Sequence, residues 1–106
     1  MRQLLTGFTV IWRFTIRPDL RRPFESIYGP NGRWATLFAK SHDFRGTDLL
    51  RSNTEPHTYF TIDRWESEAS FEAFKRDFAG EYDALDRECE PLTVSETNLG
   101  TFMSVD

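Results

Sequence analysis

The chain has 106 residues, enough for one domain with a modest core, and carries ten Phe, three Trp and three Tyr. Its net charge of −4 argues against a nucleic-acid-binding face, and its single cysteine excludes an intramolecular disulfide and a multi-cysteine metal site. No apolar run reaches the length of a membrane span and the N-terminal MRQLLTG lacks the apolar core of a signal peptide, so the expected compartment is the cytoplasm.

Without a repeat, linker or low-complexity tract, residues 1–106 are expected to form one domain. Phe8 to Arg17 reads as the first strand. Phe8, Val10, Trp12, Phe14 and Ile16 alternate onto one face, with Thr9, Ile11, Arg13 and Thr15 on the other. Pro18 ends this strand, and a helix follows with Asp19 as cap or Pro23 at its first position. Leu20, Phe24, Ile27 and Tyr28 are its apolar stripe. Gly29 and Pro30 close it, Asn31-Gly32 turns the chain, and Trp34, Leu37 and Phe38 repeat helical spacing.

Phe44 to Ser52 predicts a strand in which Gly46 marks a bulge or a close backbone approach. Asn53 to Pro56 supplies turn residues, so His57 to Trp65 returns as its hairpin partner. Ser67 is a helix N-cap, and Phe71, Phe74, Phe78, Tyr82, Leu85 and Cys89 then keep one helical face. Gly80 is a place for that helix to kink or divide, and Pro91 stops it. Leu92 to Val105 is the closing strand.

The order β-α-β-β-α-β predicts an α+β, ferredoxin-like antiparallel sheet with its helices on one face. The other face would carry Ile11, Phe60 and Ile62 among Thr58, Arg13 and Arg64. It is too apolar to be left open, which predicts a homodimer joined sheet to sheet.

A first strand ending at a proline, the Trp65-Glu66-Ser67 join into a helix, and Phe71 four residues after that serine resemble the antibiotic biosynthesis monooxygenase domain. The resemblance runs from about Phe8 to Phe102. It implies a dimeric α/β barrel with a pocket between helices and sheet in each subunit. It also implies oxygenation of a quinol or polycyclic phenol with no metal or flavin: the deprotonated substrate itself gives an electron to oxygen. Some relatives degrade haem, using an Asn on the first strand and a Trp and a His on the second helix. The matching places here hold Trp12 or a neighbour, Phe74 and Ala84, so haem degradation is disfavoured. The Trp-Tyr-Arg-Asn set of some polyketide oxygenases has no position-by-position match either, with Phe74 again where a Trp is wanted.

On this reading a flat aromatic ligand would be shaped by Trp12, Phe14, Tyr28, Trp34, Phe38, Tyr59, Trp65 and Phe74. Core packing is the competing account for each of them, and the stronger one for Trp12 and Trp65. Asp63 shares the phase of Tyr59 and Trp65, which directs a carboxylate toward the helices. It is a general base, or a hydrogen-bond partner of the helix N-terminus. His57 and His42 are the only imidazoles; His57 is the second candidate base, and a solvated surface position is the alternative for both. The acids from Glu81 to Glu90 read as a solvated helix face, and no metal-ligand spacing or phosphate loop occurs. Two functions remain open: a cofactor-independent monooxygenase, or a non-catalytic homodimer that binds a small hydrophobic molecule.

Overall fold

The computed structural model describes residues 7–105; the N-terminal segment read above against a signal peptide falls, but for Gly7, outside them. Strand β1 spans Phe8–Ile16 and leads through a 3-10 turn, Pro18–Leu20, into α1, Arg21–Tyr28, and α2, Arg33–Phe38. The hairpin β2, Phe44–Arg51, and β3, Thr58–Trp65, follows. Then come α3, Glu68–Asp77, α4, Ala79–Cys89, a second 3-10 turn, Glu90–Leu92, and β4, Thr93–Met103. The strands lie in the order β2-β3-β1-β4 and every neighbouring pair is antiparallel. This is the ferredoxin-like arrangement.

Alternation in β1 places Phe8, Val10, Phe14 and Ile16 in the core, with Trp12 half-buried among them. Two aromatic groups fill the space under the helices. Trp65 is enclosed by Phe38, Phe44, Phe71 and Phe74, with ring centroids 5.2–5.5 Å away. Phe24 stacks on Tyr28 at 4.3 Å and meets Tyr59 at 4.9 Å. Ser67 caps α3 as expected, its Oγ accepting from the Ser70 N–H at 3.1 Å.

Two glycines shape the frame. Gly46 has φ +115° and coincides with a register slip between Phe44 and Gly46, so the bulge is real and its conformation suits glycine. A Cβ on Gly32 would lie 2.3 Å from the Ser26 carbonyl oxygen and 2.4 Å from that of Ile27. The corner between α1 and α2 closes only because that atom is missing.

Three local expectations are corrected. Helix α1 begins at Arg21 with Leu20 at its cap and no side-chain cap bond, so neither Asp19 nor Pro23 starts it. Pro18 opens a 3-10 turn instead, Asp19 lies within it, and Pro23 sits in the first turn of α1, where a missing N–H loses no helical bond. The long helix divides at Phe78 (φ −121°, ψ 27°), not at Gly80, which lies inside α4; the Phe78 ring stays stacked on Phe74 at 5.2 Å while its backbone turns. Thr58, placed by alternation on the open face, is buried at the head of its strand with its hydroxyl donating to the Pro56 carbonyl at 3.0 Å.

Strand β4 pairs with β1 along its length, yet none of its eleven residues is buried. The layer of helices therefore stops short of this edge, and that gap opens the interior to solvent. No helix among the described residues is long and apolar enough to cross a membrane.

Candidate functional site

A cavity of about 120 Å³ lies between the sheet and the helices. β1 contributes Trp12 and Phe14, with ring centroids 6.2 Å apart. Tyr28 of α1, Trp34 and Phe38 of α2, and Tyr82 of α4 complete an aromatic wall in which Trp34 meets Tyr82 edge-on at 5.1 Å. Thr47, Thr61 and Asp63 form the floor. Asp86 of α4 and Glu96 of β4, both exposed, stand at the open end.

Sheet register assembles the floor. Asp63 lies opposite Thr47 on β2, and Trp12 lies opposite Thr61 on β3. The Thr47 hydroxyl donates to Asp63 Oδ1 at 2.7 Å, while Oδ2 accepts no hydrogen bond from any described residue. Asp63 is only 7% exposed. Burial pushes its carboxyl up to about 6, against the smaller opposing pulls of the Thr47 bond and the Arg64 charge. Arg64 itself is committed to Asp48, 2.7 Å away.

Burial also raises both tyrosines of the wall. Tyr82 is pushed up to about 12, with Asp86 and Asp63 adding to the effect, and Tyr28 rises beyond the usual phenol range, with Cys89 adding to it. Both hydroxyls are therefore proton donors at neutral pH. The indole N–H of Trp34 is buried and has no hydrogen-bond partner among the described residues. The Asp86 and Glu96 carboxyls are raised as well, first by partial burial and then by neighbouring acids, Glu90 and Asp83 for Asp86, and Asp86 for Glu96.

Of the residues expected at the site, Trp12, Phe14, Tyr28, Trp34, Phe38 and Asp63 line the cavity together. The others do not. Tyr59 is buried against Phe24, and its hydroxyl donates to Glu25, which also pairs with Arg21 at 3.0 Å. Trp65 and Phe74 lie in the neighbouring aromatic group, where four rings enclose the indole. His57 is exposed at the β2–β3 turn with φ 56°, and His42 is exposed before β2; neither reaches the cavity. Asp63 bonds Thr47, which strand register sets opposite it, and not the α3 N-terminus, where Ser67 is the cap.

Sequence reasoning missed Thr47, Thr61, Tyr82, Asp86 and Glu96 as wall residues. A signal existed for Asp86, four residues beyond Tyr82 and thus on the same side of the helix as the apolar stripe. None existed for Glu96, because register shifts interrupt the β1–β4 pairing on both sides of it. Among the described residues no group of three or more His, Cys, Asp or Glu is placed to hold a metal ion.

An antiparallel sheet covered by helices on one face, with an aromatic pocket between the layers, defines a ferredoxin-like α+β domain. Residues 7–77, more than half of the chain, match the family described as antibiotic biosynthesis monooxygenase, and the chain belongs to that family. Among solved structures it is similar to a variant of SnoaB, a cofactor-independent oxygenase from Streptomyces nogalater, at 25% identity and TM-score 0.69, with 95% of each chain covered. Protein PA3566 from Pseudomonas aeruginosa shares the fold at 18% identity and TM-score 0.66, covering 99% of this chain and 100% of its own. Protein SO0527 from Shewanella oneidensis does so at 12% identity and TM-score 0.68, covering 97% and 95%. No curated protein matches the sequence.

Proposed function

We propose that the protein is a cofactor-independent monooxygenase acting on an electron-rich phenol or quinol in the aromatic cavity, with Asp63 as the proton acceptor. The observation that carries this reading is a buried carboxylate in the cavity floor with one oxygen unengaged among the described residues and a pKa raised to about 6. A base tuned toward neutral pH is what proton abstraction from a phenol needs, and such a group in a cleft is a functional signature. Family membership and the likeness to a cofactor-independent oxygenase support the same reading.

The chemistry balances without a further reductant. Asp63 takes the phenol proton, and the phenolate passes one electron to O2. Superoxide and the phenoxyl radical combine at a ring C–H carbon ortho or para to the oxygen. The proton returns as the O–O bond breaks, the proton on that carbon leaves, and the products are a quinone and one water. The aromatic wall orients the ring, and the two protonated tyrosines are donors for charge that develops on oxygen.

A cavity of about 120 Å³ is close to the roughly 150 Å³ that holds a benzene molecule, so the enclosed part suits one ring, and further rings would extend through the open end. The second element of the reading is a homodimer through the open sheet face. There Ile11 pairs with Ile62, Phe60 lies beside Leu50, and Phe102 lies beside Thr9.

The test is oxygen uptake by metal-stripped protein with single-ring hydroquinols, naphthols and anthrones, against heat-denatured protein. Saturable uptake that is lost in Asp63→Asn supports the oxygenase. Saturable binding without uptake across the panel would make the protein a carrier and not a catalyst.

A further inference from the structure

We infer that the ligand of this cavity is cationic: a phenolic ring bearing a short aminoalkyl chain, with the ring hydroxyl at Asp63 and the ammonium group among the carboxylates of the open end. The inference rests on the reading above that a phenolic ring occupies the cavity.

Every charged group in the wall is acidic. Asp63, Asp86 and Glu96 line it, and among the described residues no Lys, Arg or His does. Two neighbouring acids of α4 are neutralised, Glu81 by Lys40 and Glu88 by Arg33 at 2.7 Å, whereas Asp83 is in no ion pair among the described residues and adds to the field at Asp86. Asp63, Asp86 and Glu96 enter no ion pair among the described residues. Among the described residues the negative potential of this wall is thus left uncompensated, and Asp83 and Glu90 beside it add to it.

The carboxylates are also close enough to disfavour one another's charge, since Asp86 raises the pKa of Glu96. A cation between them relieves that repulsion, a neutral group leaves it, and a carboxylate aggravates it. Trp12, Trp34 and Tyr82 add aromatic faces to the same wall, and aromatic faces attract ammonium groups. Asp63 separates this arrangement from an incidental cluster of surface acids. It is more than nine-tenths buried, lines the cavity, and leaves Oδ2 without a hydrogen-bond partner among the described residues.

Depth assigns the two ends of the ligand. Asp63 is buried in the floor, whereas Asp86 and Glu96 are exposed. A single ring fills the enclosed volume, and a chain of two or three carbons carries the amine outward. Hydroxyphenyl-ethylamines have this shape and charge.

The experiment compares three probes of one shape by calorimetry on the full chain at about pH 7.5, where phenols, with an ordinary pKa near 10, stay protonated. Tyramine carries the ammonium, 4-ethylphenol is neutral, and 3-(4-hydroxyphenyl)propanoate is anionic. Tyramine is expected to bind about tenfold more tightly than 4-ethylphenol, and the propanoate more weakly than either. Raising the salt from about 0.02 to 0.3 M compresses the tyramine preference several-fold, because the mouth carboxylates are exposed to screening. The double variant Asp86→Asn, Glu96→Gln brings tyramine to within about twofold of 4-ethylphenol.

If 4-ethylphenol binds as tightly as tyramine to the unmodified protein, the cationic ligand is overturned and the phenol-binding cavity stands. A preference that survives both salt and the double variant overturns the role of the mouth carboxylates. If none of the three binds, the cavity reading falls, and this inference with it.

Discussion

At the scale of single residues, Asp63 ties stability to chemistry. Its folded-state pKa of about 6 stands above the ordinary 3.8, so the folded chain keeps a proton that the unfolded chain releases between those values. The stability that depends on a neutral Asp63 is therefore complete below about pH 4 and is lost as pH rises through about 6. Each tenfold gain in proton affinity is worth about 1.36 kcal/mol, so the rise from 3.8 to about 6 corresponds to up to about 3 kcal/mol. Asp63→Asn keeps an acceptor for Thr47 but removes the charge. It is expected to be more stable than the parent at pH 7.5 by up to about 3 kcal/mol, and no more stable at pH 4. Denaturant melts at the two pH values check this, and equal gains at both would mean that the carboxylate is not desolvated. Oxygen uptake should fall by about a hundredfold or more in the same variant.

Thr47 is a positioning residue for that carboxylate. Its hydroxyl makes the one hydrogen bond to the Asp63 carboxylate among the described residues, and it favours the charged form. Thr47→Val should move the acidic limb of the pH–rate profile above pH 6, while Thr47→Ser, which keeps the hydroxyl, should restore it. Asp63's direction was legible in the sequence from its phase with Tyr59 and Trp65. Its partner was not, because Thr47 lies sixteen positions earlier and only strand register brings the two together.

At the scale of elements, caps and corners hold the walls. Ser67→Ala removes the bond to the Ser70 N–H and should cost about 1 kcal/mol in thermal or denaturant unfolding, with little change at the cavity. Gly32→Ala behaves differently. The new methyl meets two carbonyl oxygens of α1 and must push α2 away, and α2 carries Trp34 and Phe38 into the wall. A loss of about 1–3 kcal/mol is expected, together with weaker binding of any phenol, and calorimetry reads both. Spacing together with caps and turn residues located the strands and the helical segments, with α3 and α4 read as one. Periodicity did not locate the α3–α4 break: Gly80 was the sequence's most permissive residue, but the bend follows Phe78, whose ring is fixed on Phe74.

At the scale of the whole molecule, the uncovered sheet face carries the expectation of a dimer. Ile62 lies on it, opposite Ile11 on one side and Asp48 on the other. Light scattering at micromolar concentration should give twice the mass of one chain. Ile62→Asp should give a monomer with unchanged circular dichroism, because a charge is tolerated on a solvated face and not inside an apolar interface. A monomeric parent would remove this element of the proposal.

Local patterns in the chain established the kinds of element, their order and the ferredoxin-like frame. These follow from local spacing, capping and turn chemistry, which act over a few residues. Which aromatics line the cavity and which close the core was decided only by tertiary packing. Trp12 and Trp65 both face the helices, yet one borders a gap and the other is enclosed by four rings. The acidic mouth was legible only in part, since helical spacing aligns Asp86 with Tyr82 but nothing local marks Glu96. Asp86 and Glu96 come together from a helix and an edge strand, and long-range contact has no local pattern to announce it.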